Sequence, residues 1–167
     1  SPVFNPISIN GRRICDGYTS YIITEAGVNH QGNLGAACQL VKAAASCGVD
    51  AVKFQAFDPA ALVSEGHSQR EMLDPLALTE DNFRYLKGFC QASNVAFLCS
   101  PFDSGSVAML NRVGVQAWKI PSGEITNLPM LAEIACEGQP MIVPTGMANL
   151  GEVERALETI EQAGNTQ

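Results

Sequence analysis

The sequence predicts an α/β fold, a parallel (β/α) barrel of the TIM type, and three observations indicate this fold class. Short apolar runs rich in β-forming residues alternate with longer segments of helical period, which is the pattern of parallel α/β proteins. Four of the five helical segments begin at or directly after a capping residue, and four end directly before a glycine. The segment GVDAVKF from Gly48 recurs as GVQAWKI from Gly114, 66 residues later, or two strand–helix units of about 33 residues each. Alternate strands are therefore equivalent, as in a barrel, where they share a layer of side chains.

A hairpin followed by five strand–helix units accounts for the chain in order. The hairpin lies in ISINGRRI, because Asn10 and Gly11 between short apolar flanks are a turn signal. The predicted strands are residues 21–26, 51–57, 95–99, 116–120 and 141–144. The predicted helices are residues 34–47, 79–92, 103–113, 129–137 and 149–163. The sequence thus predicts a β-hairpin in residues 1–17 and the first five units of a (β/α)8-type barrel in residues 18–167.

The composition excludes several classes of partner. Seventeen acidic residues against ten basic ones give a formal net charge of −7, which disfavours binding to nucleic acid or to an anionic membrane surface. No apolar run approaches the roughly 18 residues of a membrane span, and the first residues lack a signal-peptide pattern. The six cysteines form no CxxC pair, which favours the cytoplasm.

Two lysines in the predicted strands are the first candidate functional residues. Period-two alternation places Lys53 on one face of its strand together with Gln55, and it places Lys119 equivalently two units later. Parallel strands are usually apolar on both faces, so a lysine there is costly unless it meets an anion. Each lysine could instead pair with a buried carboxylate for structure alone. Their recurrence on equivalent strands favours a doubly anionic ligand bound by both.

Further polar residues follow the strands, at the face where barrel active sites are built. Glu25 ends the first predicted strand, Ser100 follows the third, and Ser122 and Glu124 follow the fourth. Glu25 and Glu124 are either a paired acid and base or salt-bridge partners of the lysines, and the sequence is compatible with both.

A metal site built from this chain alone is not expected. The two histidines are His30 and His67, and neither lies in an HxH or HExxH spacing. His30 follows the first strand, where it either joins the site or hydrogen-bonds the backbone.

The motifs at these strand ends together resemble the sialic acid synthase family, which includes N-acetylneuraminate, legionaminate and pseudaminate synthases. They are ITEAGVNHQG, DAVKFQAF, SPFD, KIPSGEITNLP and PTGMANL, in this order, over about residues 18–165. The resemblance implies a (β/α)8 barrel transferase that condenses phosphoenolpyruvate with an N-acetylated hexosamine, such as N-acetylmannosamine, to a nonulosonic acid and phosphate. It also implies dependence on a divalent metal, Mn2+ or Mg2+.

The same resemblance implies roles for individual residues. Glu25 and Glu124 match catalytic carboxylates near the sugar aldehyde. The residues that match binding positions for phosphoenolpyruvate are Lys53, Gln55, Ser100, Lys119 and Ser122.

The chain also departs from the family pattern. It carries five of eight strands, and neither the later strands with the metal-binding histidines nor the C-terminal antifreeze-like domain is present. We therefore expect this fragment alone to be inactive, and the complete protein to be a homodimer. Pro144 replaces a serine common among relatives, and the link from Val63 to Glu71 is short. Two alternatives stay open: a non-catalytic half-barrel that binds an anion or self-associates, and another phosphoenolpyruvate–aldose synthase.

Overall fold

The computed structural model describes residues 6–167, so residues 1–5 of the predicted hairpin segment lie outside the described residues. The strands are β1 (Ile7–Ile9), β2 (Arg12–Ile14), β3 (Ile23–Gly27), β4 (Ala51–Ala56), β5 (Ala96–Pro101), β6 (Trp118–Lys119) and β7 (Met141–Ile142). The α-helices are α1 (Leu34–Ser46), α2 (Pro59–Leu62), α3 (Ser68–Leu73), α4 (Glu80–Ala92), α5 (Ser104–Val113), α6 (Leu128–Ala135) and α7 (Leu150–Gln162). Contacts divide the chain into a unit of residues 22–115 and a second unit of residues 116–167 with the N-terminal segment.

The unit of residues 22–115 is a parallel three-stranded sheet, ordered β3-β4-β5, with helices packed on it. On the face that packs against the helices, the strands carry β-branched and aromatic residues. On this face Phe54 stacks on Phe97, with ring centroids 6.0 Å apart, and Phe97 meets Phe83 of α4 at 6.3 Å. Because β5 is buried at all six positions, this sheet forms the core of the unit.

Side-chain caps fix where the helices of this unit begin. Asn33 accepts a hydrogen bond from the Ala36 amide at the start of α1, and Asp103 accepts one from the Ser106 amide at the start of α5. Thr79 and Asn82 form a reciprocal capping box at the start of α4. These caps place the ends of the strand-to-helix loops at defined residues.

An ion-pair network joins α4 to α5 at the surface. Glu80 accepts hydrogen bonds from Arg112 and from Arg84, each at 2.7 Å. These hydrogen bonds, chiefly the one from Arg112, lower the pKa of Glu80 to about 2. The Glu80 carboxylate therefore stays charged through the physiological pH range.

The second unit contains the parallel pair β6-β7 and the packed helices α6 and α7. Trp118 is fully buried and donates a hydrogen bond from Nε1 to Gln139 Oε1 at 2.8 Å. The antiparallel hairpin of β1 and β2 is present, and both Asn10 and Gly11 have positive φ angles, of 51° and 76°. Two consecutive positive φ angles are typical of the type I′ turn that the Asn-Gly pair predicts.

The observed elements differ from the predicted ones mainly in length. The predicted strands at residues 116–120 and 141–144 contain only two strand residues each, Trp118–Lys119 and Met141–Ile142. The segment between β4 and α4, for which the sequence predicted no helix, contains α2, α3 and a 3-10 turn, Asp74–Leu76. Within residues 6–167, no helix is long and apolar enough to cross a membrane.

Candidate functional site

Parallel register brings Glu25 and Lys53 together. Glu25 of β3 lies opposite Lys53 of β4, and paired residues on neighbouring strands point to the same face of a sheet. The Lys53 ammonium forms an ion pair with the Glu25 carboxylate. The structure thus contains the lysine–carboxylate pair that the sequence allowed as a structural alternative, and this pair lies among the residues expected to be functional.

The two members of this pair differ in exposure. The side chain of Lys53 is 12% exposed, whereas that of Glu25 is 51% exposed. Lys53 also approaches the Ser100 hydroxyl, with Nζ 3.5 Å from Oγ. Gln55 lies opposite Ser100 in the β4-β5 register, so its side chain belongs to the same face. The result is a largely buried cation with a more accessible carboxylate and a buried hydroxyl beside it.

A β-bulge at Gly27 shapes the carboxylate end of this cluster. The register between β3 and β4 shifts between Glu25 and Gly27, and Gly27 has a φ of +54°. A Cβ atom at Gly27 would lie 3.1 Å from Glu25 Oε1 and 3.5 Å from Gln55 Nε2. Glycine therefore allows the backbone to pass close to both polar side chains.

The loop that follows the bulge is held by a series of turns ending at the Asn33 cap. Its backbone passes so close to the next loop that a Cβ atom at Gly32 would overlap the carbonyl oxygen of Pro75. Gly32 also has a φ of +72°, a left-handed conformation that side chains disfavour. Gly32 thus fixes the packing of this loop against the 3-10 turn Asp74–Leu76.

We expect Gly32→Ala to destabilise the unit more than Gly48→Ala does. Gly48 has nearly the same φ, +71°, but open space where a Cβ atom would lie. Both variants place an alanine at a positive φ angle, and this cost is common to the two. The difference between their losses in the free energy of unfolding therefore measures the clash with Pro75, which we expect to be about 1–3 kcal/mol. Chemical denaturation of both variants measures it, and equal losses in the free energy of unfolding would show that the loop relaxes at no cost.

The second unit contains the remaining candidate residues, which lie in β6 or shortly after it. Lys119 Nζ donates a hydrogen bond to the carbonyl oxygen of Ile120 at 3.0 Å. Ser122 and Glu124 belong to a 3-10 turn, Ser122–Glu124, which is separated from the end of β6 by two residues. Asn127 Nδ2 donates a hydrogen bond to Glu124 Oε2 at 2.8 Å, which orients this carboxylate.

The unit of residues 22–115 therefore contains Glu25, Lys53, Gln55 and Ser100. The second unit contains the remaining candidates, Lys119, Ser122 and Glu124. The expectation that Lys53 and Lys119 share one layer stays a prediction. Sequence reasoning missed the orienting role of Asn127, although its position three residues after Glu124 was a readable signal. It also missed Gly27, whose place in EAGVNH gave no sign of a bulge.

In the part of the chain that the structure describes, no three His, Cys, Asp or Glu side chains lie close enough together to hold a metal ion. The half-exposed Glu25 carboxylate is already paired with Lys53. The described residues therefore do not by themselves fit a metal centre.

Comparisons with known proteins identify the family. Residues 40–167 match the NeuB family. The chain is 43% identical over 157 residues to an N,N'-diacetyllegionaminic acid synthase of Campylobacter jejuni, covering 86% of this chain and 47% of that protein. It is 29% identical over 164 residues to the N-acetylneuraminate-9-phosphate synthase of Homo sapiens, covering 90% and 46% respectively.

A solved structure gives the same result in three dimensions. The crystal structure of the N-acetylneuraminic acid (sialic acid) synthetase of Leptospira borgpetersenii in complex with citrate superposes with a TM-score of 0.91 and 30% identity. The superposition covers 97% of this chain and 57% of that one. This chain spans about half the length of the curated relatives it matches. The parallel α/β architecture, the strand-end motifs and these matches together show that the chain belongs to the NeuB family, the sialic acid and legionaminic acid synthases.

Proposed function

We propose that the full-length protein condenses phosphoenolpyruvate with an N-acetylated hexosamine, within a (β/α)8 barrel, to give a nonulosonic acid and phosphate. The observation that carries this proposal is the cluster of Lys53, Glu25 and Ser100 at neighbouring strands of the parallel sheet. The family supports it, because its named members are synthases of such acids. A cytoplasmic location and a homodimer belong to the proposal as well.

The binding step is assigned to the buried cation. Lys53 is nearly enclosed, so an anion that reaches it meets an ammonium group with little competing water. Ser100 offers a hydroxyl donor on the same side, and Gln55 an amide. Phosphoenolpyruvate carries a phosphate and a carboxylate, and Lys119 and Ser122 serve as its second set of donors in this proposal.

The chemical step is assigned to the carboxylates. C3 of phosphoenolpyruvate forms a bond to the aldehyde carbon of the open-chain sugar, and the aldehyde oxygen takes up a proton. Water then adds to the cationic C2, loses a proton, and the resulting hemiketal releases phosphate. Glu25 takes part in these proton transfers once the substrate anion has replaced it as the partner of Lys53. Glu124 is oriented for the same role by the hydrogen bond that Asn127 donates to it.

The implied divalent cation remains part of the proposal, with most of its ligands outside the residues described. When bound, such a cation would polarise the sugar aldehyde. The binding and proton-transfer roles above are assigned to side chains of this chain alone.

Phosphate release from the full-length protein tests this function. We expect release to require phosphoenolpyruvate, Mn2+ and an N-acetylated hexosamine together, and mass spectrometry to show a nonulosonic acid. Arabinose 5-phosphate and erythrose 4-phosphate are the comparison aldoses. Turnover only with these phosphorylated aldoses would favour the related synthases, and no turnover with any aldose would contradict an enzymatic role.

A further inference from the structure

The Asp103 carboxylate joins two loops at the carboxyl end of the parallel sheet. Its Oδ1 accepts a hydrogen bond from the Ser106 amide at 2.7 Å, which caps α5. Its Oδ2 accepts two more, from the Ser106 hydroxyl at 2.9 Å and from the backbone amide of Asp58 at 2.8 Å. Asp58 comes two residues after β4 and lies 45 positions from Asp103 in the chain. Capping of α5 therefore accounts for one carboxylate oxygen, and the other ties the loop after β5 to the loop after β4.

The bond between Asp58 and Asp103 continues the pairing of β4 with β5 beyond their last strand residues. The last pair in the register is Ala56 opposite Pro101, and the Phe102 amide donates a hydrogen bond to the Ala56 carbonyl at 3.0 Å. Alternate residues of a strand face the same neighbour, so Asp58 is the next residue after Ala56 whose backbone faces the β5 side. Its amide meets the Asp103 carboxylate there in place of a strand carbonyl. A charge-assisted hydrogen bond thus closes the end of the β4-β5 pair.

This end of the sheet carries two of the side chains to which binding of phosphoenolpyruvate is assigned. Gln55 lies opposite Ser100 in the register, and it precedes Asp58 by three residues. Loss of the bond from the Asp58 amide would leave the end of β4 less firmly held against β5. We propose that Asp103 is a positioning residue, which holds the end of β4 and thereby fixes Gln55 relative to Ser100. Its effect on substrate binding rests on the function proposed above.

The substitution Asp103→Asn separates this link from the helix cap. Asparagine is as good an N-cap as aspartate, so its oxygen can keep the Ser106 amide, whereas its NH2 group cannot accept from the Asp58 amide. We expect the KM for phosphoenolpyruvate to rise about tenfold in the full-length variant, with kcat changed by less than about threefold. A loss of stability alone would instead lower the apparent kcat and leave KM unchanged, because fewer molecules would be active.

Asp58→Asn is the matched control, because it removes a negative charge beside the same hydrogen bond. The Asp58 side chain is exposed, and its Oδ1 caps α2 by accepting from the Ala60 amide at 2.8 Å, which asparagine can also do. The backbone amide at this position still donates to Asp103. We expect both KM and kcat to stay within about twofold of the original values. An equal rise in KM in the two variants would overturn the proposal, because lost charge alone would then explain it.

Nuclear magnetic resonance on the full-length protein, with isotope-labelled aspartate and glutamine, supplies a readout that needs no turnover. In Asp103→Asn we expect faster hydrogen exchange of the Asp58 amide and shifted side-chain amide resonances of Gln55. An Asp58 amide that stays protected, unmoved Gln55 resonances or an unchanged KM would each overturn the proposal. Absent turnover in the unsubstituted protein would instead refute the proposed function, and the Asp58 exchange and Gln55 resonances would then decide the role of Asp103.

Discussion

Replacing Lys53 with alanine in the full-length protein is expected to lower kcat/KM for phosphoenolpyruvate by about 10²–10³-fold. Removing one member of a buried, charge-assisted contact typically costs about 2–5 kcal/mol, and each 1.4 kcal/mol is a factor of ten. The variant should still fold, because the Glu25 carboxylate it leaves behind is half exposed and remains hydrated. Steady-state kinetics by phosphate release measure the effect.

A matched control distinguishes this loss from a general effect of lost positive charge. Lys42 is exposed on α1, where its ammonium lies 5.9 Å from the ring centroid of Phe89. Lys42→Ala removes the same charge away from the cluster and should leave kcat/KM unchanged. Lys119→Ala should behave like Lys53→Ala. Kinetics near those of the unsubstituted protein in either strand-lysine variant would contradict the assignment of that lysine.

Replacing Glu25 with glutamine is expected to act on turnover and much less on substrate binding. Glutamine has nearly the same shape, and its carbonyl can still accept a hydrogen bond from Lys53, but it cannot transfer a proton. Loss of a general acid or base typically lowers the rate by about 10²–10⁴-fold, and we expect kcat to fall in that range. The KM for phosphoenolpyruvate should not rise, because Lys53 keeps its charge and the substrate anion no longer has to displace a carboxylate from it.

The control for this change is Glu65→Gln, an exposed carboxylate between α2 and α3. It should have no effect on kcat beyond error. A Glu25→Gln protein that is folded and retains the original kcat would show that Glu25 is only a salt-bridge partner of Lys53. That result would restore the structural alternative which the sequence left open.

Much of the local structure was readable from the sequence because it depends on short-range chemistry. The Asn10–Gly11 turn and the helix starts at Asn33 and Thr79 each involve residues within four positions of one another. Strand β4 was predicted well, because its alternation of Lys53 and Gln55 with apolar residues spans the whole strand. The strand-end motifs predicted the NeuB relationship correctly, and the comparisons confirmed it.

Other features escaped prediction because their causes lie elsewhere in the chain. Strands β6 and β7 are shorter than their apolar runs, since a strand extends only where a neighbour pairs with it. The close approach of Gly32 to Pro75 joins residues more than 40 positions apart, so no local sequence pattern predicts it. The sequence predicted no helix between β4 and α4, but α2 and α3 form there.

The sequence by itself determined the class of fold, the family and the chemical types of the site residues, because periodicity, capping and motif spacing are properties of neighbouring residues. Only the tertiary structure decided that Glu25 is the partner of Lys53, since strand register joins residues 28 positions apart. It also decided that the His30 ring lies near Phe54, which alternates with Lys53 along β4, because the side of a sheet that a loop side chain enters depends on packing. Burial of Lys53 beside an accessible carboxylate is likewise a product of three strands together, and this combination supports the proposed chemistry.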